Sequence, residues 1–170
     1  MTAKNGAGAQ QPASVFRVEV TGKPGFPDAA GNAIAAQFPL LGLPAPADVR
    51  VCPVYEITGK LTQREIELAA RDLLADPVTQ DYRIGDGAIS AGFLIGPHWR
   101  VEVWLKASVS DPVEASVRKG LADLGLPTPE RVRCGTAYKI AGRMTAAQVE
   151  KAAKKILSNP VIHRVTLASP

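Results

Sequence analysis

A thiol nucleophile, imidazole metal ligands and a glycine loop that cradles phosphate are the chemistries for which this 170-residue chain holds residues. Cys134 is the nucleophile candidate. It lies in an alternating apolar run, without the Gly-x-Cys-x-Gly elbow that lifts such a residue into reach, so a small core residue is the plainer interpretation. Gly85-Asp86-Gly87 follows a predicted strand, as a dinucleotide loop would. Ser90 stands where the third glycine belongs and no helical pattern follows, which makes a linker the simpler assignment. His98 and His163 have no metal-ligand spacing with any Cys, Asp or Glu cluster and are expected at the surface. The chain is thus expected to hold no catalytic, metal-binding or cofactor-binding residue of its own.

Recognition offers more. Arg17, Arg50, Arg100 and Arg133 recur at matching places on the polar sides of predicted strands. They fit solvated charge, cross-strand pairing with Glu19 or Glu102, or a surface for a partner protein. Alternation also puts Trp104 with Arg100 and Glu102, away from the apolar side, where a large aromatic marks an interface. Two interfaces qualify: one with a partner, for which these five residues are the candidates, and one between halves of the chain.

Those halves exist because the sequence is written twice. Residues 16–84 and 99–167 align without a gap, and one paired position in three is identical. Phe16–Lys23 matches Trp99–Lys106, and Leu41-Gly-Leu-Pro matches Leu124-Gly-Leu-Pro. A match of domain length means one duplicated fold. A single copy is near the lower size limit for a hydrophobic core, and two packed copies relieve that limit. The expected organisation is a lead-in at 1–15, repeats at 16–84 and 99–167, and a linker at 85–98. Packed together, the repeats would form a dimer made covalent, with a pseudo-two-fold axis.

Each repeat reads β-α-β-α-β. Phe16, Val18 and Val20, like Trp99, Val101, Val103 and Leu105, share one face of a first strand predicted to be buried on that side alone. A helix then starts at Asp28 or Asp111. In the second repeat Asp111, Pro112 and Glu114 supply an N-cap, an N1 proline and a capping box, and Gly125 ends the helix as Gly42 does in the first. The third element, Asp48–Ile57 or Arg131–Ile140, is long for a small sheet and carries Pro53 or Gly135 mid-run, which suggests a bend. Such a strand could pair with its own repeat at one end and with the other repeat at the far end. Capping boxes at Thr62/Glu65 and Thr145/Gln148 open a strongly amphipathic second helix that Pro77 or Pro160 stops. A last strand follows at Val78–Ile84 or Val161–Leu167. The fold class is α+β, a mostly antiparallel sheet with helices on its outer face.

Composition narrows the partners. No run of 18 apolar residues is present, and the first residues lack the apolar core of a signal peptide, which gives a cytoplasmic default. Net charge is +4, with basic and acidic residues interleaved, a poor footprint for nucleic acid. The only aromatics of the third elements, Tyr55 and Tyr138, fall on the apolar side, where they could not stack RNA bases. Cys52 and Cys134, the only two cysteines, fall on opposite faces of the repeat frame, so no disulfide is expected.

Val18-Glu-Val with Lys23-Pro-Gly, Asp28 and Gly31, the Leu-Gly-Leu-Pro step, Val49-Arg-Val with Tyr55, and Leu73-Leu-Ala-Asp-Pro-Val running to Asp81-Tyr82 resemble the small PurS subunit of phosphoribosylformylglycinamidine synthase. The second repeat is similar at Val101–Lys106, Asp111-Pro112, Val132-Arg-Cys-Gly and Asn159-Pro-Val-Ile. It departs in carrying Glu114 for Gly31 and His163-Arg-Val for Gln80-Asp-Tyr, and Pro53 and Thr136 stand where the family has a lysine.

The resemblance implies a ferredoxin-like-related fold and a non-catalytic role in de novo purine biosynthesis. In that family a synthetase (PurL-type) subunit uses ATP and magnesium, a glutaminase (PurQ-type) subunit releases ammonia from glutamine, and the small subunit bridges them for ammonia transfer. The tandem repeat would act as a built-in dimer whose copies have specialised. A domain of ferredoxin-like type that senses a small metabolite is the alternative.

Overall fold

The computed structural model describes residues 13–85 and 97–170. The lead-in as far as residue 12 and most of the expected linker, with Asp86 and Gly87, lie outside the described residues. The first repeat holds β1 (Ser14–Gly22), α1 (Ala29–Ala35), α2 (Gln37–Leu40), β2 (Asp48–Gly59), α3 (Gln63–Ala69) and β3 (Gln80–Gly85). The second holds β4 (Trp99–Leu105), α4 (Pro112–Asp123), β5 (Arg131–Ala141), α5 (Ala146–Ala152) and β6 (His163–Ala168). The predicted β-α-β-α-β order is present twice.

Local chemistry explains where the helices begin and end. Asp28 accepts from the Gly31 amide, and Asp111 from the amides of Val113 and Glu114. Glu114 does not complete the predicted capping box; its carboxylate turns to Arg118 one helical turn on, at 2.9 Å. In the first repeat Pro39 splits the helix in two, because its ring collides with the carbonyl four residues back, that of Ala35, where α1 stops. Gly42 and Gly125 take the left-handed conformation, φ +68° and +71°. Leu43 and Leu126 then reach back to Phe38 and Leu121, closing both helices in the same way. Both predicted threonine capping boxes form, and α3 and α5 each widen into a π turn, Ala70–Leu74 and Ala153–Leu157, before the prolines.

All six strands join one antiparallel sheet in the order β3-β1-β2-β5-β4-β6. The repeats meet at its centre, where β2 pairs with β5 from Asp48↔Ala141 to Thr58↔Arg131. Pro53 lies opposite Thr136, its own counterpart in the other repeat, so the pseudo-two-fold axis passes through this pair. The expected division of the long strand between its two ends is corrected here. β2 uses one edge for β5 along almost its whole length and the other edge for β1 over its second half, Val54–Gly59. Pro53 sits just past the end of the β1 ladder, where a missing N–H costs no bond. In the second repeat, with Thr136 there instead, the matching ladder runs on to Trp104↔Gly135.

Two apolar cores lie between the sheet and the helices, and each draws on both repeats. Val18, Val20, Ile57 and Ile66 of the first repeat pack with Val117 and Leu121 of α4. Phe38 of α2 packs with Val101, Val103, Ile140 and Val149 of the second. The first helix of each repeat therefore covers the other repeat's core. Burying these side chains contributes roughly 1.5–3 kcal/mol each, so neither repeat retains a complete core without the other.

The first strands are not buried on one side alone, as alternation suggested. Arg17, Glu19, Thr21, Arg100, Glu102 and Trp104 on the opposite face are also buried. Cys52 shares that face in a third cluster with Val54, Trp104 and Ala137, whereas Cys134 packs under the helices. Both cysteines are free and lie on opposite faces, as predicted.

Candidate functional site

The face without helices carries the densest group of charged side chains in the described structure. Arg100 donates from Nη2 to Glu19 at 2.6 Å and from Nε to Glu102 at 2.6 Å. Arg17 donates to the same Glu102 oxygen, and Lys139 Nζ lies 2.5 Å from Glu19. Two carboxylates are thereby shared by three cations across the repeat boundary. Burial alone would raise the pKa of Glu19, but the hydrogen bond from Arg100 and the charge of Lys139 outweigh it and hold the carboxyl below its ordinary value. Glu102 is lowered in the same way, its burial outweighed by Arg17 and Arg100.

Trp104 closes one end of this group. Its indole N–H donates to Glu102 at 3.2 Å, and its ring lies against Gly135, where a β-carbon would fall 2.6 Å from ring atoms. The guanidinium carbons of Arg17 and Arg133 stand 5.5 and 4.9 Å from the ring centre, within the range of cation–π attraction. Trp104 is only 6% exposed.

Of the alternatives open for the arginines and Trp104, pairing with Glu19 and Glu102 and contact between the halves are the ones seen for Arg17, Arg100 and Trp104. Arg17, Arg100 and Trp104 are buried, and their contacts join the two repeats to each other; the reason is that β2 and β5 bring the two polar faces edge to edge. Arg50 and Arg133 remain half-exposed at the rim, Arg50 bonded to Asp48 at 2.9 Å and Arg133 to Glu56 at 2.8 Å. Lys139 was the participant missed by sequence. Its counterpart in the first repeat is Glu56, so the repeat gave no sign of it.

The residues considered for catalysis do not converge. Burial, with Asp111 beside it, pushes the Cys134 thiol up to about 12, far from the range of a nucleophile. His163 accepts from the Asn159 amide through Nδ1 at 2.9 Å, which fixes a surface turn. Gly85 ends β3, and no cluster of three or more His, Cys, Asp or Glu able to hold a metal occurs among the described residues. No helix among them is long and apolar enough to cross a membrane. Tyr55 and Tyr138 pack under the helices.

Two open clefts flank the pseudo-two-fold axis on the helix side. One, of about 530 Å³, is bordered by Phe26, Asp28, Val51 and Pro53, and the other, of about 500 Å³, by Asp111, Cys134, Thr136 and His163. Asp28 and Asp111, Val51 and Cys134, and Pro53 and Thr136 are matching pairs, so the clefts are copies of each other. A third hollow, of about 200 Å³ beside Trp104, occurs in the second repeat.

Among curated proteins none matches the chain significantly. A family-wide sequence model, that of PurS and described as phosphoribosylformylglycinamidine (FGAM) synthase, matches residues 15–85 and again residues 98–169. The two matches coincide with the halves related by the axis through Pro53 and Thr136. With both of its folded halves matched, the chain belongs to the PurS family of phosphoribosylformylglycinamidine synthase, as a tandem duplication of the family unit.

Proposed function

We propose that this chain is the bridging subunit of its FGAM synthase, holding a PurL-type synthetase subunit against a PurQ-type glutaminase subunit so that ammonia passes between them. Membership of the family gives the chain a place in purine biosynthesis, as a subunit that works in a complex. The observation that carries the bridging role is the closed inter-repeat interface. The β2–β5 ladder and the shared Arg–Glu group satisfy within one chain what a pair of separate subunits would satisfy between chains, leaving two pseudo-equivalent outer surfaces for partners.

On this reading the chemistry lies in the partners. The synthetase subunit binds ATP and magnesium and activates the amide oxygen of its ribonucleotide substrate. The glutaminase subunit hydrolyses glutamine, and the released ammonia displaces the activated oxygen. This chain supplies surface and orientation, a role that needs no ionised thiol, metal or phosphate loop. Arg50 and Arg133, at the exposed rim of the charged group, are the contacts we assign to partners, and the cytoplasm is the compartment in which the complex acts. Affinity capture of the chain from its native cell, with the co-purifying subunits identified, tests the reading. Recovery of both subunits is expected; a chain that captures neither contradicts it.

A further inference from the structure

The repeats are not equivalent at one place, and the cause is a single pair of matching residues. At Gly31 a β-carbon would fall 2.0 Å from the Val49 carbonyl oxygen, so α1 lies directly on β2. Asp28 completes that contact by accepting from the Val51 amide at 2.8 Å. Glu114 occupies the matching position of the second repeat, where a side chain bars so close an approach of helix backbone to strand. The 200 Å³ hollow lies beside this position, between Trp104, Lys106, Asp111, Glu114, Arg131 and Arg133.

Its charge also differs from that of the first repeat. Asp48, which pairs with Arg50 at 2.9 Å, is replaced by Arg131. Arg131 is exposed and makes no ion pair among the described residues. The Lys106 ammonium is held by the carbonyls of Pro160 and Val161, at 2.7 and 3.0 Å, which fix its place and leave its charge. The two acids at the hollow are already engaged, Asp111 by the amides it caps and Glu114 by Arg118. Trp104 and the Arg133 guanidinium stacked on it form a rigid wall. With Arg133 paired to Glu56 at 2.8 Å, the charges the hollow presents without an acidic partner are those of Lys106 and Arg131, on either side of a preformed pocket at the protein surface, an arrangement complementary to a carboxylate.

We propose that this pocket receives an acidic side chain of one partner subunit, so that the chain engages that partner through its second repeat alone. The inference rests on the bridging role above and adds direction to it. A symmetric pair of subunits would offer two such sites, whereas the fused chain offers one, which sets a single copy of that partner per chain at this surface.

The test measures binding of the purified synthetase and glutaminase subunits separately to the full chain, to Arg131→Asp and to Asp48→Ala. Arg131→Asp restores the first repeat's residue at an exposed position, and its melting temperature checks that the fold is kept. The expected result is at least a tenfold loss of affinity for one of the two subunits with Arg131→Asp, and less than a twofold change with Asp48→Ala. Unchanged affinity for both subunits with Arg131→Asp overturns the pocket and leaves the bridging role standing. Equal losses from the two variants overturn the asymmetry. A wild-type chain that binds neither subunit overturns the bridging role and this inference together.

Discussion

Arg100 of the second repeat donates to Glu19 of the first at 2.6 Å, and Arg17 of the first donates to Glu102 of the second. Arg17 matches Arg100 and Glu19 matches Glu102, so these are one contact viewed from either side of the axis through Pro53 and Thr136. An isologous interface produces such reciprocal pairs. Here the group is also buried, with side-chain exposure of 3–7% for the four residues. Removing one partner of a buried pair leaves a charge without compensation, at a cost of about 3–5 kcal/mol, whereas replacing the pair together costs far less. Arg100→Met is expected to lower the urea midpoint sharply, and replacement of the whole group, Arg17→Met, Arg100→Met and Lys139→Met with Glu19→Leu and Glu102→Leu, to recover part of the loss. Equal stability of Arg100→Met and the parent chain would contradict the assignment.

Acid should dissolve the same group. Glu19 and Glu102 are held below their ordinary value of 4.5, so the unfolded chain binds protons more readily than the folded one at low pH. Their contribution to stability is complete above about pH 4.5 and is lost as pH falls through the lower, folded values. Denaturant midpoints between pH 7 and pH 3 should therefore drop more steeply for the parent chain than for Glu19→Gln combined with Glu102→Gln. A double variant that loses stability with the same slope would rule out these carboxylates as the source.

Trp104 illustrates what alternation could and could not reveal. Its parity within β4 was legible and correct. Its burial was not, because exposure of that face depends on β5 bringing Gly135 beneath the ring and on Arg17 arriving from the other repeat. Trp104→Ala is expected to destabilise the chain by about 3–5 kcal/mol, as loss of a buried aromatic does. Gly135→Ala should move the ring and change its near-ultraviolet circular dichroism. A full-stability Trp104→Ala variant would return the residue to the role of a surface contact.

The repeat, the caps and the order of elements were legible because each is local: capping threonines, terminal glycines and apolar spacing act within a few residues. The crossing of α1–α2 and α4 onto opposite repeats was not, since nothing in a duplicated pattern says which copy a helix covers. Lys139 was hidden for a related reason, its partner Glu19 lying in the other repeat. The Gly31 contact was half visible: Glu114 stood out as a departure, but only the lack of room for a β-carbon at Gly31, which would fall 2.0 Å from the Val49 oxygen, shows what it changes. Gly31→Ala is expected to cost about 1–3 kcal/mol through overpacking against backbone, measured by thermal or urea unfolding. A silent substitution would mean that α1 can lift from β2 without cost.

Cys134 bears on whether this chain does chemistry. With its thiol pushed up to about 12, less than one molecule in a thousand carries a thiolate at pH 8. Alkylation by iodoacetamide at that pH, followed by mass spectrometry, should be far slower than for a free cysteine in the same buffer. Rapid modification would reopen the residue as a nucleophile.

Glutamine-dependent synthesis reconstituted from purified subunits tests the bridging role most directly. Synthetase and glutaminase subunits are combined with ATP, magnesium and the formylglycinamide ribonucleotide substrate, with or without this chain, and supplied with either glutamine or free ammonia. The account predicts that product formation from glutamine requires the chain while formation from ammonia does not. Equal glutamine-dependent rates with and without the chain would contradict it.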